Sequence, residues 1–149
     1  VIVVSTHLWW KSGNPERFNY QPHSNIARVY QISLAIQKAE ELIAKYACPA
    51  FIMGDFNAGI DSACMNEVAK LGWTEAHDLC TGERDETKGH HFCAPDGFER
   101  GEPGVYHDAL DHIIVKNGSA VAIQSYKRLN DAWFDCVSDH YPLYVDIEI

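Results

Sequence analysis

The chain has 149 residues, of which 46% are hydrophobic and 22% are charged, as is typical of a globular domain. Its apolar runs are too short to span a bilayer, and no segment has the order of a secretory signal peptide. The formal net charge of −9 argues against non-specific binding to nucleic acid, which depends on Lys and Arg. A nucleic-acid substrate stays open, because a bound divalent metal would change the local field.

The five cysteines are odd in number and form no Cys-x-x-Cys pair. A secreted disulfide framework usually has an even number, so we expect reduced thiols in a cytoplasmic protein, with disulfides as the alternative. Structural zinc needs paired ligand spacings, which the sequence lacks. His90, His91 and Cys93 could form a zinc cluster, but we interpret them as surface residues because no second cluster accompanies them.

The first half of the chain alternates strand and helix patterns. The predicted elements are a buried strand at Val1–Ser5, a helix from Ile26 to Tyr46, a strand at Ala50–Met53 and a helix at Ser62–Leu71. The long helix is predicted by apolar residues that recur every three or four positions, and Ser24 or Asn25 is its expected N-cap. Pro49 is expected to end it.

The second half is richer in strands. Residues 81–108 contain many Gly, Pro and charged residues, which predicts a long loop. Leu110–Val115 and Ala120–Tyr126 are predicted strands around Asn117-Gly118, a strong hairpin signal. Leu143–Ile149 alternates and predicts a strand with one buried face. The mixture favours an α/β fold in which helices cover the outer face of a sheet.

Four short segments place acidic, amide or imidazole groups at strand ends. They are Thr6-His7-Leu8, Gly54-Asp55-Phe56-Asn57, Leu110-Asp111-His112-Ile113 and Ser138-Asp139-His140. Strand ends are rigid positions from which side chains can converge. A carboxylate such as Asp55 can hold a hard cation or accept a proton from water, and the amide of Asn57 can donate to a phosphate oxygen. The set therefore suits phosphoester hydrolysis.

These four motifs, in this order and with these gaps, resemble the endonuclease/exonuclease/phosphatase superfamily, whose members include DNase I-like nucleases. The resemblance runs from His7 to the final strand and so covers nearly the whole chain. It implies a DNase I-like four-layer α/β sandwich. We expect residues 1–149 to be the C-terminal part of one such domain, with the N-terminal half absent, because the family's Asn-bearing and Glu-bearing strands precede the His-bearing strand.

The resemblance also implies roles for individual residues. Asp55 would activate or position the water or touch the metal, and Asp139 would lie near the metal. Asn57 would orient the phosphate, and His7 would be a second phosphate contact. His140 would contact the scissile phosphate, and Asp111 would orient His140. The implied metal is magnesium, with manganese or calcium in some members. The implied substrate is a phosphoester, either a small molecule, a lipid headgroup or a nucleic acid.

Simpler interpretations stand beside several of these roles. Asp55 and Asn57 would also suit an Asx turn, and His7 a hydrogen-bonded core position. Arg28, with Gln31, is expected to brace the His7 strand or contact substrate, the alternative being a solvated helix face. Trp9 and Trp10 are candidates for stacking on a base or sugar, the alternative being packing.

Position in the sequence indicates the placement of two further groups. His112 is expected to face away from the site because it alternates with Asp111. Tyr106, His107 and Asp108 are candidates for the pocket rim.

The function expected from these residues is metal-dependent hydrolysis of a phosphodiester or phosphomonoester by activated water. The alternative is a non-catalytic fragment or interaction module that keeps the superfamily shape. A half-sandwich would expose apolar sheet surface, so self-association of the chain is also expected.

Overall fold

The structure, a computed structural model, describes residues 1–85, 109–129, 138 and 140–149. The elements formed by these residues are, in chain order, β1 (Ile2–His7), α1 (Ser24–Tyr46), β2 (Ala50–Asp55), α2 (Ala63–Lys70), β3 (Trp73–Glu75), α3 (Ala76–Leu79), β4 (Cys80–Arg84), β5 (Asp111–Lys116), β6 (Ala122–Arg128) and β7 (Leu143–Glu148).

The described strands form two sheets. One has four strands in the order β1-β2-β5-β3, and the other has three in the order β4-β6-β7. β1 and β2 are parallel and are joined through α1, the crossover that a parallel pair requires. β5 runs antiparallel to both β2 and β3. As a result, the C-terminal ends of β1 and β2 lie beside the N-terminal end of β5.

Helices α1 and α2 cover one face of the four-stranded sheet. Ile32 and Ile36 of α1 pack in one buried cluster with Ile52 of β2, Ile114 of β5 and Val68 of α2. The apolar stripe predicted from the sequence is therefore the face that α1 buries. Burial of an aliphatic side chain contributes about 1.5–3 kcal/mol, so this face is a major source of stability.

The second sheet covers the opposite face. Phe51 of β2 and Ile113 of β5 belong to a second buried cluster with Ile123 and Tyr126 of β6. β2 and β5 are therefore buried on both faces, which explains their nearly continuous apolar sequences. This arrangement places helices, the four-stranded sheet and the three-stranded sheet in successive layers.

α1, β2 and α2 lie where the sequence predicts a helix, a strand and a helix, although α1 begins two residues before the predicted start. The second helix was predicted at Ser62–Leu71 and spans Ala63–Lys70; Ser62 is its N-cap, and Ser62 Oγ accepts a hydrogen bond of 3.2 Å from Met65 N. The prediction for the start of α1 was wrong: its N-cap is His23, in the left-handed region at φ 67°. Ser24 Oγ instead donates to Gln21 O at 2.7 Å, so its hydroxyl closes the preceding turn.

The hairpin predicted around Asn117-Gly118 was wrong. The turn exists, with Gly118 at φ 75°, but β5 and β6 lie in different sheets. Both edges of β5 are already paired, with β2 and with β3, so no edge remains for β6. Asn117 N donates to Gly72 O at 2.9 Å, which ties this turn to the start of β3.

Two other predictions need correction. The first strand alternates between partly buried and exposed residues rather than being buried throughout, because Ile2 and Val4 pack against the helix-side cluster while no residue of β1 belongs to the second cluster. Val3 is 59% exposed. The predicted loop at 81–108 begins as strand β4, which runs to Arg84, and residues 86–108 lie outside the described part.

None of the described helices combines the length and the apolar character that crossing a membrane requires. Cys48, Cys64 and Cys80 are free thiols. Cys93 and Cys136 lie outside the described residues.

Candidate active site

Three of the predicted site residues form one row across neighbouring strands. His7 at the end of β1 pairs with Asp55 at the end of β2, and Asp55 pairs with Asp111 at the start of β5. The pairing continues just beyond the strands, where Leu8 N donates to Asp55 O at 2.9 Å and Phe56 N donates to Leu110 O at 2.8 Å. The backbone of this row is therefore held on both sides of Asp55.

Asp55 is at the centre of the row. Its Oδ1 accepts a hydrogen bond of 2.7 Å from Asn57 N. Its Oδ2 lies 3.5 Å from His7 Nε2 and 4.0 Å from His140 Nε2. Burial is the main cause that raises the pKa of Asp55, and the charge of Asp111 adds to it; the Asn57 N–H and the two imidazoles act in the opposite direction.

His140 is oriented by Asp111. Its Nδ1 lies 2.6 Å from Asp111 Oδ2, and its backbone N donates to Ser138 Oγ at 3.0 Å. A carboxylate accepts hydrogen bonds, so Nδ1 carries the proton. In neutral imidazole, Nε2 is then the unprotonated nitrogen, and it is the one on the side of Asp55. The pair can therefore accept or deliver a proton next to Asp55.

Asn57 adopts an unusual backbone conformation, with φ 49°, a left-handed region that Asn tolerates better than most residues. Its Nδ2 donates to Leu8 O at 3.1 Å, which links the β2 end to the β1 end. The amide has a second hydrogen that can be donated to an oxygen of a ligand. The Asx turn is therefore present, made by Asp55 Oδ1 with Asn57 N, and the site role of the two residues stays a prediction.

Gly54 allows β1 and β2 to approach each other here. Its φ is 136°, and a Cβ atom at this position would lie 2.0 Å from Thr6 O. A side chain would therefore separate His7 from Asp55. This requirement explains the glycine in the Gly54-Asp55-Phe56-Asn57 motif.

Arg28 and Gln31 of α1 hold the segment that follows β1. Arg28 Nη1 donates to both Trp9 O and Lys11 O at 2.8 Å, and Gln31 Oε1 accepts from Trp9 N at 2.9 Å. Arg28 is only 7% exposed, and its Nη2 donates to Asn25 Oδ1 at 2.5 Å. These contacts favour the bracing role for Arg28. Its contact with substrate stays a prediction.

Trp9 and Trp10 differ in exposure. Trp9 is partly buried, and its backbone is bonded on both sides by the α1 residues. Trp10 is 50% exposed, with the Lys11 ammonium 5.5 Å from its ring centre. Stacking of Trp9 on a substrate stays a prediction.

In this row, the carboxylates are the groups that would hold the implied metal. The described residues contain no group of three or more His, Cys, Asp or Glu that could hold an ion. They do contain the carboxylate of Asp55, which is partly buried and close to the carboxylate of Asp111. This fits a hard cation such as Mg²⁺, which keeps several waters and takes one or two carboxylates from the protein.

Several predicted site residues lie outside the described residues. They are the metal candidate Asp139, the possible zinc cluster His90, His91 and Cys93, and the rim candidates Tyr106, His107 and Asp108.

His112 faces away from the row, as strand alternation predicted, and is only 2% exposed. Its partner is Glu75, 3.0 Å away, on β3. Glu75 was missed in the sequence, where it stands in the short segment Trp73–Glu75. The sequence offered no clear signal, because Thr74 and His77 make the segment around Glu75 mixed in polarity.

No family model matches the sequence, and no curated protein matches it. Solved structures do. An endonuclease/exonuclease/phosphatase from Bacteroides vulgatus superposes with a TM-score of 0.63 and 23% identity, covering 84% of this chain and 45% of that one. A mannosyl-6-phosphatase from Bacteroides thetaiotaomicron gives 0.60 and 21%, covering 83% and 46%. TDP2 from Caenorhabditis elegans gives 0.59 and 18%, covering 95% and 40%.

The chain thus spans less than half the length of these three structures. At such identities the likeness concerns the fold. It agrees with the two packed sheets and the outer helices described above. The chain has the DNase I-like α/β fold of the endonuclease/exonuclease/phosphatase superfamily.

Proposed function

We propose that this chain carries part of the active site of a metal-dependent phosphoesterase, which hydrolyses a phosphodiester or phosphomonoester with activated water. The observation that carries the proposal is the His140–Asp111 pair, 2.6 Å apart, with His140 Nε2 4.0 Å from Asp55 Oδ2. An oriented imidazole next to a partly buried carboxylate is suited to acid–base chemistry on a phosphate.

In this proposal His140 and Asp111 act as a unit. Asp111 fixes the proton on Nδ1, so that Nε2 faces the phosphate and exchanges a proton or stabilises charge there. Protonated His140 would remain paired with Asp111, which favours the imidazolium during the reaction.

Asp55, Asn57 and His7 bind and orient. Asp55 positions the attacking water or accepts its proton, and its raised pKa is consistent with a proton acceptor. Asn57 donates its second amide hydrogen to a phosphate oxygen, and the exposed His7 ring supplies a further donor at the edge of the row.

Magnesium, or manganese, would be held by Asp55 and Asp139. When bound, such an ion neutralises phosphate charge and polarises the scissile bond. Both residues belong to the strand-end motifs in the sequence, and oxygen ligands are those that these ions prefer.

For the substrate we propose a phosphodiester or a small phosphorylated molecule rather than duplex DNA. The net charge of −9 supports this choice, because duplex binding relies on many Lys and Arg contacts. One structure with this fold is a mannosyl-6-phosphatase, by its name a phosphatase for a sugar phosphate. We propose a cytoplasmic location, because an odd number of cysteines without a Cys-x-x-Cys pair favours reduced thiols.

A second candidate is a non-catalytic interaction module. It is favoured by an apolar stripe on the outer face of α1, formed by Ile26, Tyr30 and Leu34, which are 65%, 66% and 47% exposed. Such a stripe is a site for protein contact, including self-association. Light scattering with a hydrophobic dye tests this: a clean monomer that binds no dye would contradict the module.

Hydrolysis of bis-p-nitrophenyl phosphate with Mg²⁺ or Mn²⁺ tests the phosphoesterase proposal. The assay uses this chain, any longer product of the same gene, and His140→Ala in each. We expect metal-dependent turnover that falls about 10²–10⁴-fold in His140→Ala, the usual contribution of an acid–base group. Lys38→Ala, on the exposed face of α1, is the matched control and should retain activity. A folded protein that neither turns over nor binds metal in calorimetry would contradict the proposal.

A further inference from the structure

A buried hydrogen-bond network lies directly beneath the row of site residues. His112 follows Asp111 on β5, and its side chain is 2% exposed. Its Nδ1 lies 3.0 Å from Glu75 Oε2, and its Nε2 lies 2.8 Å from Ala58 O. Glu75 is 6% exposed. Burial of two polar side chains is costly unless both are fully bonded, as they are here.

The partners determine the protons. Ala58 O can only accept, so His112 Nε2 carries a hydrogen and donates it. The His112–Glu75 contact then needs one more proton, either on Nδ1 or on the carboxyl. In both arrangements the ring is fixed at both nitrogens and cannot rotate without breaking a bond.

Glu75 extends the network to both sheets. Its Oε1 accepts from Ile113 N and from Tyr126 Oη, each at 3.2 Å. Ile113 is on β5 of the four-stranded sheet, and Tyr126 is on β6 of the three-stranded sheet. One carboxylate thus joins β3, β5 and β6.

The other end of the network reaches the site. Ala58 directly follows Asn57, whose backbone is left-handed at φ 49°. The His112 bond to Ala58 O therefore holds the backbone just after this residue. His112 is also the chain neighbour of Asp111, which holds His140. The ring centre of Phe56 lies 5.1 Å from that of His112, so Phe56 packs on the same ring.

We propose that His112 is a positioning residue: with Glu75 and Tyr126 it holds the Asn57–Ala58 turn and the start of β5, and so sets the distance between Asn57 and the His140–Asp111 pair. This inference rests on the proposed phosphoesterase function for its chemical purpose. The geometry itself concerns only side chains of this chain.

Variants of His112 and Glu75 differ in whether they keep the hydrogen bond to Ala58 O. His112→Phe fills the space but leaves Ala58 O without its donor. His112→Gln keeps an amide N–H at the place of Nε2 and should restore that bond. Glu75→Gln retains every bond in neutral form, since its Oε1 can accept from Ile113 and Tyr126 while its amide donates to His112 Nδ1. Ser125→Ala is the matched control, because it removes a hydrogen bond to Asp146 that involves none of the network's hydrogen-bonding groups.

Nuclear magnetic resonance of the His140 ring nitrogens and the Asn57 side-chain amide is the readout that does not depend on turnover. We expect both sets of signals to shift in His112→Phe, to return toward wild type in His112→Gln and Glu75→Gln, and to be unchanged in Ser125→Ala. If His112→Phe does not fold, His112→Asn replaces it, because its shorter amide does not reach Ala58. Unchanged Asn57 and His140 signals in a folded variant without the Ala58 bond would overturn the proposal.

Kinetics separate this proposal from the proposed function. In a form that hydrolyses bis-p-nitrophenyl phosphate, His112→Phe should lower kcat about 10- to 100-fold with a smaller change in KM, since misplaced groups lose rate rather than ground-state binding. His112→Gln should recover most of the rate. If the wild-type protein proves inert, the phosphoesterase function fails, while the resonance shifts still decide whether His112 positions the turn.

Discussion

Consecutive residues of β5 form two imidazole–carboxylate pairs with different surroundings. Asp111 pairs with His140 at 2.6 Å, and their side chains are 19% and 25% exposed. His112 pairs with Glu75 at 3.0 Å, and their side chains are 2% and 6% exposed. The chemical groups are the same, but the first pair is at the rim of the sheet and the second is inside the protein.

Strand alternation causes the difference. Neighbouring residues of a strand point to opposite faces, so Asp111 and His112 cannot share an environment. A pair that solvent reaches can exchange protons with a ligand, as the proposed chemistry requires of His140. In the buried pair, both ring nitrogens of His112 and both carboxylate oxygens of Glu75 are hydrogen-bonded within the protein, so the pair contributes to the geometry of the fold.

The largest expected difference between the pairs is in stability. His112→Leu leaves the Glu75 carboxylate buried without its imidazole and Ala58 O without a donor. Breaking a buried pair in this way costs about 3–5 kcal/mol. Urea denaturation followed by circular dichroism measures it. A cost below about 1 kcal/mol, the size of an ordinary hydrogen bond, would mean that the buried pair is not a structural element.

Arg28 is a buried charged residue whose Nη1 donates to backbone carbonyls rather than to a carboxylate. Arg28→Ala therefore shows whether losing such a residue destabilises the fold as much as losing the His112–Glu75 pair. The substitution leaves the carbonyls of Trp9 and Lys11 without their donor. We expect a loss of about 1–3 kcal/mol in the free energy of unfolding. Denaturation of this variant beside Arg28→Lys, which keeps the charge but not the two-pronged geometry, checks the prediction. A wild-type midpoint for Arg28→Ala would contradict the bracing role.

The buried pair should also make stability depend on pH. Burial alone lowers the pKa of His112, but Glu75, Ala58 O and Asp111 more than offset it, so the pKa of His112 in the folded protein lies above its ordinary value. The pair's contribution to stability is therefore complete below the unfolded pKa of 6.5 and is lost as pH rises through the folded pKa. The free energy of unfolding, measured from about pH 6 upward, should show a decline that is absent in His112→Gln. Equal pH profiles for the two proteins would contradict this prediction.

The smallest effect on stability is expected at the rim. Asp111→Asn changes a partly exposed pair, so the free energy of unfolding should fall by about 1 kcal/mol or less. Its effect on turnover should be large, about 10²–10⁴-fold, because an amide can present a donor to Nδ1 and favour the wrong tautomer. Parallel denaturation and hydrolysis assays measure both. Strong destabilisation with normal turnover would reverse the assignment of the two pairs.

Much of the site's framework was predictable because its signals are local. The long helix followed from the apolar periodicity around Ile32 and Ile36, and the strand ends followed from polar residues after short apolar runs. The orientation of His112 followed from alternation with Asp111. The start of α1 was missed because a left-handed His23 is an uncommon cap that residue preference does not indicate.

Sequence alone determined which residues stand at strand ends and which faces are apolar, since both depend on periodicity along the chain. Only the tertiary structure decided that His7, Asp55 and Asp111 share one row, that Glu75 is the partner of His112, and that β5 and β6 separate into different sheets. The physical reason is that pairing between strands depends on which edges are free and on packing between residues far apart in the chain. Such contacts are not specified by any local pattern.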